Sequence, residues 1–170
     1  YTYQKGLEKV YKEISNKCLR NTSEVRIMIG HSGNRIMNHI DILKSLKHLS
    51  GKSIKIVLIL SYGKDEYIRN VKEFAYKNFS NEELEVVEDF LPIEKYLEVL
   101  NSIDVAVFDQ VGSAALGNLT PLLYFNKKFV FNKNGLMGKV FDIEGLEYIR
   151  SDDLANITLE ELAKKFKTQD

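Results

Sequence analysis

The stretch that decides the fold is Val25-Arg26-Ile27-Met28-Ile29-Gly30-His31-Ser32-Gly33-Asn34-Arg35. A short apolar run, broken only by Arg26, stops abruptly at Gly30. Small polar residues and two glycines follow. A second segment, from about Arg35 to Leu49, then repeats apolar residues at helical spacing: Ile36, Ile40, Leu43 and Leu46. A buried strand, a polar turn and an amphipathic helix make the first half of a βα unit.

Working outward, the same alternation recurs. Upstream, residues 3–19 read as a helix with Leu7, Val10, Tyr11, Ile14 and Leu19 near one face, ended by Asn21-Thr22-Ser23. Downstream, Ile54 to Leu60 is nearly unbroken apolar sequence around Lys55, the pattern of a strand covered on both faces. Ser61-Tyr62-Gly63 turns the chain into a helix marked by Tyr67, Val71, Phe74, Ala75 and Phe79. A strand follows at Leu84 to Val87. Pro92 sits just inside the next helix, where its missing N–H costs nothing, and Ile93, Leu97 and Leu100 mark that helix. Residues 103–108 are a further strand, 118–126 a helix, 129–131 a strand and 147–149 a short strand, with a final helix from Leu159. The expectation is one α/β domain over residues 1–170. It is a Rossmann-like three-layer arrangement with a mostly parallel sheet of about six strands and helices on both faces. In such sheets ligands bind beyond the carboxyl ends of the strands, so the loops at 30–35, 61–64, 88–92 and 109–118 carry the candidate site.

Composition narrows the function classes. The 170 residues hold 24 Lys+Arg against 24 Asp+Glu, and 44% are apolar. That is a globular profile with no overall pull toward nucleic acid. Cys18 is the sole cysteine; it cannot form an intrachain disulfide, which points to a reducing compartment and a helix-borne, inert thiol. No apolar run approaches the roughly 20 residues of a membrane span, and no signal peptide is visible. The chain starts at Tyr1 rather than Met, so a further upstream part is expected.

The loop after the first strand has the makings of an anion site. Gly30 and Gly33 let backbone amides approach a ligand closely. A helix start adds free N–H groups and a favourable dipole. Ser32 and Asn34 supply donors or cap the helix, and Arg35 can pair bidentately with phosphate oxygens. An ordinary strand–helix turn capped by asparagine fits the same residues. Sharper motifs fail: Ser32 stands where a dinucleotide fingerprint needs its middle glycine, no G-K-[ST] ending is present, and Asn34 replaces the last glycine of a G-x-S-x-G nucleophile elbow. His39 falls in or beside the helix's apolar stripe, either as a satisfied semi-buried residue or as a group reaching back to the loop. His31, His39 and His48 form no ligand set with Cys18, so no metal site is implied.

The run from Val25 to Arg35, followed by His39-Ile40-Asp41 and Leu43, resembles the TDP-N-acetylfucosamine:lipid II N-acetylfucosaminyltransferases, glycosyltransferase family 56. A second shared block is Asp104 to Phe108 with Ala115-Leu116-Gly117-Asn118-Leu119. The likeness covers roughly residues 25–155. It implies one half of a GT-B fold, two Rossmann-like domains around a cleft. This chain would be the C-terminal, nucleotide-sugar-binding half, and the acceptor domain would lie upstream. The implied reaction is inverting transfer of a deoxyamino sugar such as N-acetylfucosamine to a lipid-linked saccharide. The implied setting is enterobacterial common antigen synthesis, with peripheral membrane association at the cytoplasmic face of the inner membrane. The donor is a nucleoside-diphosphate sugar, with no cofactor or metal. Paired glutamines of the family pattern are replaced here by Ser113 and Ala114, with Gln110 upstream, which leaves the donor sugar open.

The diphosphate-binding residues expected on this basis are Gly30, Ser32, Gly33, Asn34, Arg35, Gly117 and Asn118. Asn118 is expected to cap a second helix, with Pro121 in its first turn, so that two helix starts face one diphosphate. Tyr62, Phe90, Asp109, Gln110 and Ser113 are expected to contact the nucleoside or sugar. No catalytic base is assigned; Asp89 and Asp109 are carboxylates at strand ends. Two other functions fit the same pattern: a two-domain sugar-nucleotide enzyme of the non-hydrolysing epimerase type, and a non-catalytic flavodoxin-like module.

Overall fold

The computed structural model describes residues 2–17, 23–112 and 116–164. Cys18, Leu19, Asn21, Thr22, Ser113, Ala114 and Ala115 lie outside the described residues. The elements alternate strictly. Helix α1 (Thr2–Lys17) leads to β1 (Val25–Ile29), α2 (His39–Leu46), β2 (Ile54–Ile59), α3 (Asp65–Asn78), β3 (Leu84–Val87) and α4 (Ile93–Ser102). Then come β4 (Val105–Phe108), α5 (Leu116–Tyr124), β5 (Lys128–Phe131), α6 (Leu136–Glu144), β6 (Ile149–Arg150) and α7 (Leu159–Ala163). The six strands form one sheet in the order β3-β2-β1-β4-β5-β6, and every pairing is parallel. The fold is the Rossmann-like α/β layer expected from the sequence.

The strands are mostly apolar because both faces are covered, with charged residues such as Arg26, Lys55 and Lys128 near their starts, and successive side chains go to opposite faces. Ile27 and Ile29, Ile56 and Leu58, and Val105 and Val107 join one core with Leu43 and Leu46 of α2 and Val71 and Ala75 of α3. Met28, Val57, Phe108 and Phe131 join the other with Ile14, Leu97, Leu122 and Phe141 from α1, α4, α5 and α6. The order reverses direction between β1 and β4. The topological switch point, where ligands of such sheets bind, therefore lies between the loops that follow these two strands. Among the described residues, no helix is long and apolar enough to cross a membrane.

Several expectations need correction. The continuous helix from Arg35 to Leu49 does not form. Residues Arg35–Met37 make a single 3-10 turn, Asn38 adopts a left-handed conformation (φ 54°), and α2 starts only at His39. Ile36 accordingly leaves the apolar face and is exposed. Pro92 precedes α4 as its cap rather than sitting inside it. Helix α5 begins at Leu116, so Asn118 lies within its first turn and Pro121 lies beyond that turn. Helix α6 was not anticipated: Gly138 interrupts its pattern, and Leu136, Val140 and Ile143 stay exposed, which blurs the amphipathic signal.

Candidate functional site

The loop after β1 is built differently from a glycine-rich phosphate cradle. Gly30 donates its N–H to the Val107 carbonyl of β4 (2.9 Å), continuing the ladder. Gly33 donates to the Tyr62 carbonyl (2.6 Å) and accepts from the Lys64 amide (3.3 Å). It thereby forms an isolated parallel bridge with Gly63. The two glycines join this loop to β4 and to the loop after β2, and their amides are not free donors for a ligand. Asn34 caps the 3-10 turn, its side chain accepting from the Ile36 amide (3.3 Å). The amides of Ser32, Asn34 and Arg35 take no partner among the described residues. Arg35 is exposed and makes no ion pair among them. These three amides and one guanidinium are what remains of the predicted anion site. Ser32 itself is buried.

Beside this loop, at the carboxyl ends of β1, β2 and β3, lies a cavity of about 320 Å³. Tyr62, Phe90 and Asn118, all expected from the sequence, line it. His31, Ser61, Asp89 and Tyr96 line it too. The rings of Tyr62 and Phe90 lie 6.3 Å apart. Both are unusually exposed for aromatics, at 51% and 82%. Tyr96 sits deeper. Its hydroxyl donates to Asn118 Oδ1 (2.5 Å), and burial, with Tyr62 nearby, pushes its pKa up, so it stays a phenol. Asn118 is therefore held by a side chain of α4 and does not act as the helix cap. With Oδ1 occupied, its NH2 group is what remains to meet a ligand. Gly117 precedes it on the exposed first turn of α5, with open space around it.

At the end of β4, Asp109 takes a hydrogen bond from Asn38 Nδ2 on Oδ2 (3.0 Å). Its other oxygen is buried without a partner. Gln110 beside it is buried. Asn38 escaped the sequence reading, although its left-handed backbone is a conformation that asparagine tolerates better than most residues. His39 is fully buried. Its amide donates to the Tyr67 hydroxyl (3.2 Å), and Nδ1 lies 3.3 Å from the same oxygen. Its Nε2 is packed under Gly30, where an added methyl would come within 2.8 Å of it. Burial and then the neighbouring His31 lower its pKa to about 4, so it is a neutral support behind the loop rather than a group open to solvent. Ser113 lies outside the described residues.

The model of one known family, described as 4-alpha-L-fucosyltransferase, glycosyl transferase group 56, matches residues 7–170. The chain belongs to this family. The match to group 56 runs through every strand and both loops at the switch point.

Solved structures share the fold. An alpha,alpha-trehalose-phosphate synthase (UDP-forming) from Burkholderia xenovorans, in complex with glucose-6-phosphate, superposes with a TM-score of 0.63 at 10% identity, over 93% of this chain and 42% of that one. The N-terminal domain of trehalose-6-phosphate phosphatase from Candida albicans gives 0.58 at 14% identity, over 94% and 38%. The UDP-GlcNAc 2-epimerase from Methanocaldococcus jannaschii gives 0.53 at 10%, over 95% and 44%. The group 56 chain thus spans well under half the length of each. At these identities the likeness is one of fold.

Proposed function

We propose that this chain is the donor-binding part of a glycosyltransferase and holds a nucleoside-diphosphate sugar across the β1/β4 switch point. The carrying observation is the juxtaposition at that point of a donor-rich turn and an aromatic-walled cavity. The unpartnered amides of Ser32, Asn34 and Arg35, with the Arg35 guanidinium, suit a diphosphate. The cavity bounded by Tyr62, Phe90 and Tyr96 is of a size suited to a small ligand, and it takes the nucleoside. Asp109, held at one oxygen by Asn38, stands beside this point at the end of β4.

The donor is a deoxyamino sugar nucleotide such as that of N-acetylfucosamine. The acceptor is a lipid-linked saccharide bound on another domain, and the reaction inverts the anomeric centre. Transfer takes place at the cytoplasmic face of the inner membrane, with the full-length protein associating peripherally. An inverting transfer needs a base at the acceptor hydroxyl and stabilisation of the departing diphosphate. The present residues supply the second requirement, so the isolated chain binds the donor without transferring sugar.

The test is calorimetry with TDP, UDP and GDP. Binding of at least one of them, weakened by Arg35→Ala, is the expected result; no binding of any overturns the reading. The fold shared with the UDP-GlcNAc 2-epimerase keeps a second reading in play, an epimerase-type enzyme. Turnover of the sugar nucleotide by the full-length protein with no acceptor present would favour it.

A further inference from the structure

Helix α6 buries Gly138 and Phe141 against the sheet and turns its other side to solvent. On that side Leu136, Val140 and Ile143 follow one another at i, i+4 and i+7, a single stripe of an α-helix. They are exposed at 47%, 37% and 81%. Leu146, just past the Gly145 cap, is exposed as well. Helix α5 leads into β5 as α6 leads out of it, and both cover the same face of the sheet. It repeats the spacing with Leu116 and Leu123, both exposed, and carries no charged residue. These six residues leave roughly 600 Å² open, the upper end of the largest apolar patch on a typical monomer.

The ligand site does not account for this face. A helix between parallel strands runs back from the carboxyl edge of the sheet to the amino edge. Ile143 and Leu146 therefore lie at the end remote from the switch point, where a domain closing over the ligand leaves them open. A lipid surface fits poorly too. Helices that lie on membranes border their apolar side with Lys and Arg, whereas α6 carries Lys139, Asp142 and Glu144.

The charges suit a second copy of the chain. Lys139 and Asp142 stand three residues apart on one border of the stripe. Neither is in an ion pair among the described residues, although Asp142 accepts from the Tyr148 hydroxyl (3.1 Å). A twofold axis near Val140 that sets two α6 helices antiparallel brings like borders together and reverses their order. Lys139 then meets the partner's Asp142, and Asp142 meets the partner's Lys139. The chain's charges also balance, 24 against 24, so no net repulsion opposes self-association.

We propose that the chain forms a twofold dimer in which α6 packs antiparallel against α6 of a second copy, with α5 at its flank. With its polar border the face approaches the about 800 Å² that each partner gives to a standard interface. Sedimentation equilibrium from about 1 μM to several hundred micromolar tests this, since mass action governs the dimer fraction. A monomer–dimer equilibrium is expected. Ile143→Asp should raise its Kd tenfold or more. Lys139→Asp sets like charges against each other and should do the same; adding Asp142→Lys in the same chain should bring Kd back to within about threefold of the parent. Ile143 and Lys139 are exposed, so circular dichroism of the two single variants should show the parental Tm. A chain that stays monomeric throughout overturns the proposal. So does a dimer that either single variant leaves intact, or a folded double exchange that restores nothing. Flotation with phosphatidylcholine–phosphatidylglycerol vesicles reads the other occupant: a monomeric chain that binds them, and loses that binding in Ile143→Asp, assigns the face to a lipid surface and overturns the dimer.

Discussion

Gly63→Ala tests whether the contact between the loops after β1 and β2 holds the site together. A Cβ at Gly63 would lie 2.2 Å from the Gly33 carbonyl oxygen and 2.4 Å from its carbon. Ordinary contact between such atoms needs roughly 1 Å more. Both atoms are backbone, so no side-chain rotation can relieve the clash. The loops must part, which breaks the Gly33–Tyr62 and Lys64–Gly33 hydrogen bonds. Gly63 also has φ of +146°, a region costing an alanine about 1–3 kcal/mol. Overpacking adds about 1–3 kcal/mol. The terms overlap, and a total of roughly 3–5 kcal/mol corresponds to a Tm drop of about 6–20 °C for a chain of this size. Gly51→Ala serves as the control. It has φ of +82° but open space around its Cβ, so it reports strain alone. Thermal unfolding followed by circular dichroism, with diphosphate binding measured well below Tm, reads both effects. If Gly63→Ala melts no lower than Gly51→Ala and binds like the parent, the loop–loop contact does not organise the site.

Arg35→Ala should weaken diphosphate binding more than tenfold, the loss of a charge-assisted contact worth roughly 1.5–3 kcal/mol, with Tm nearly unchanged because the side chain is exposed and makes no ion pair among the described residues. Asn118→Ala should do otherwise: it strips the half-buried Tyr96 hydroxyl of its acceptor, so stability falls by about 1 kcal/mol along with affinity, and Tyr96→Phe in the same background should recover part of the stability. Stability should fall as pH drops from 6.5 toward 4, because unfolded His39 takes up a proton that the buried ring, with its pKa near 4, refuses; the full loss is roughly 3 kcal/mol, and urea titrations of His39→Gln should show a flatter pH profile. Lys128, buried on β5, donates to the carbonyls of Glu161, Leu162 and Lys164 at the end of α7. Lys128→Met should therefore destabilise the chain by about 1–3 kcal/mol and speed amide exchange in α7 first; unchanged exchange there would show that the ammonium does not hold the helix.

The sheet was legible because parallel strands covered on both faces read as near-continuous apolar runs, as in Ile54–Leu60 around Lys55 and in Val105–Phe108, and because helices between them keep a 3.6-residue period. The two-residue β6, expected at 147–149, forms at Ile149–Arg150, while the glycine-interrupted α6 carries too little pattern to be read. The break at Asn38 was invisible for another reason. It depends on Asp109, which holds its side chain, and on Tyr67, which takes the amide of the next residue, and both partners are distant in sequence. The same holds for the site. The alternation of elements located its loops, and Tyr62, Phe90 and Asn118 do line the cavity. A glycine in a polar turn, however, does not say whether its amide faces a ligand or a neighbouring loop, and Gly30 and Gly33 face loop and strand. His31 and Tyr96 acquire meaning only from what stands opposite them.

The position of β1 at the centre of the strand order shapes how the molecule comes into being. Residues 25–87 make β1, β2 and β3 through contacts between near neighbours in the chain. The β1–β4 seam joins residues 78 apart, as the Arg26–Asp104 hydrogen bond shows, and Asn38 meets Asp109 across 71. Closing so long a loop is the slowest kind of event in assembling such a sheet. The turn at Ser32–Arg35 and the cavity residue His31 belong to the first half, and Asp109 and Asn118 to the second. Ligand-binding competence is therefore the last property the refolding chain acquires, arriving with the closure of the seam and after most of the helical signal has returned.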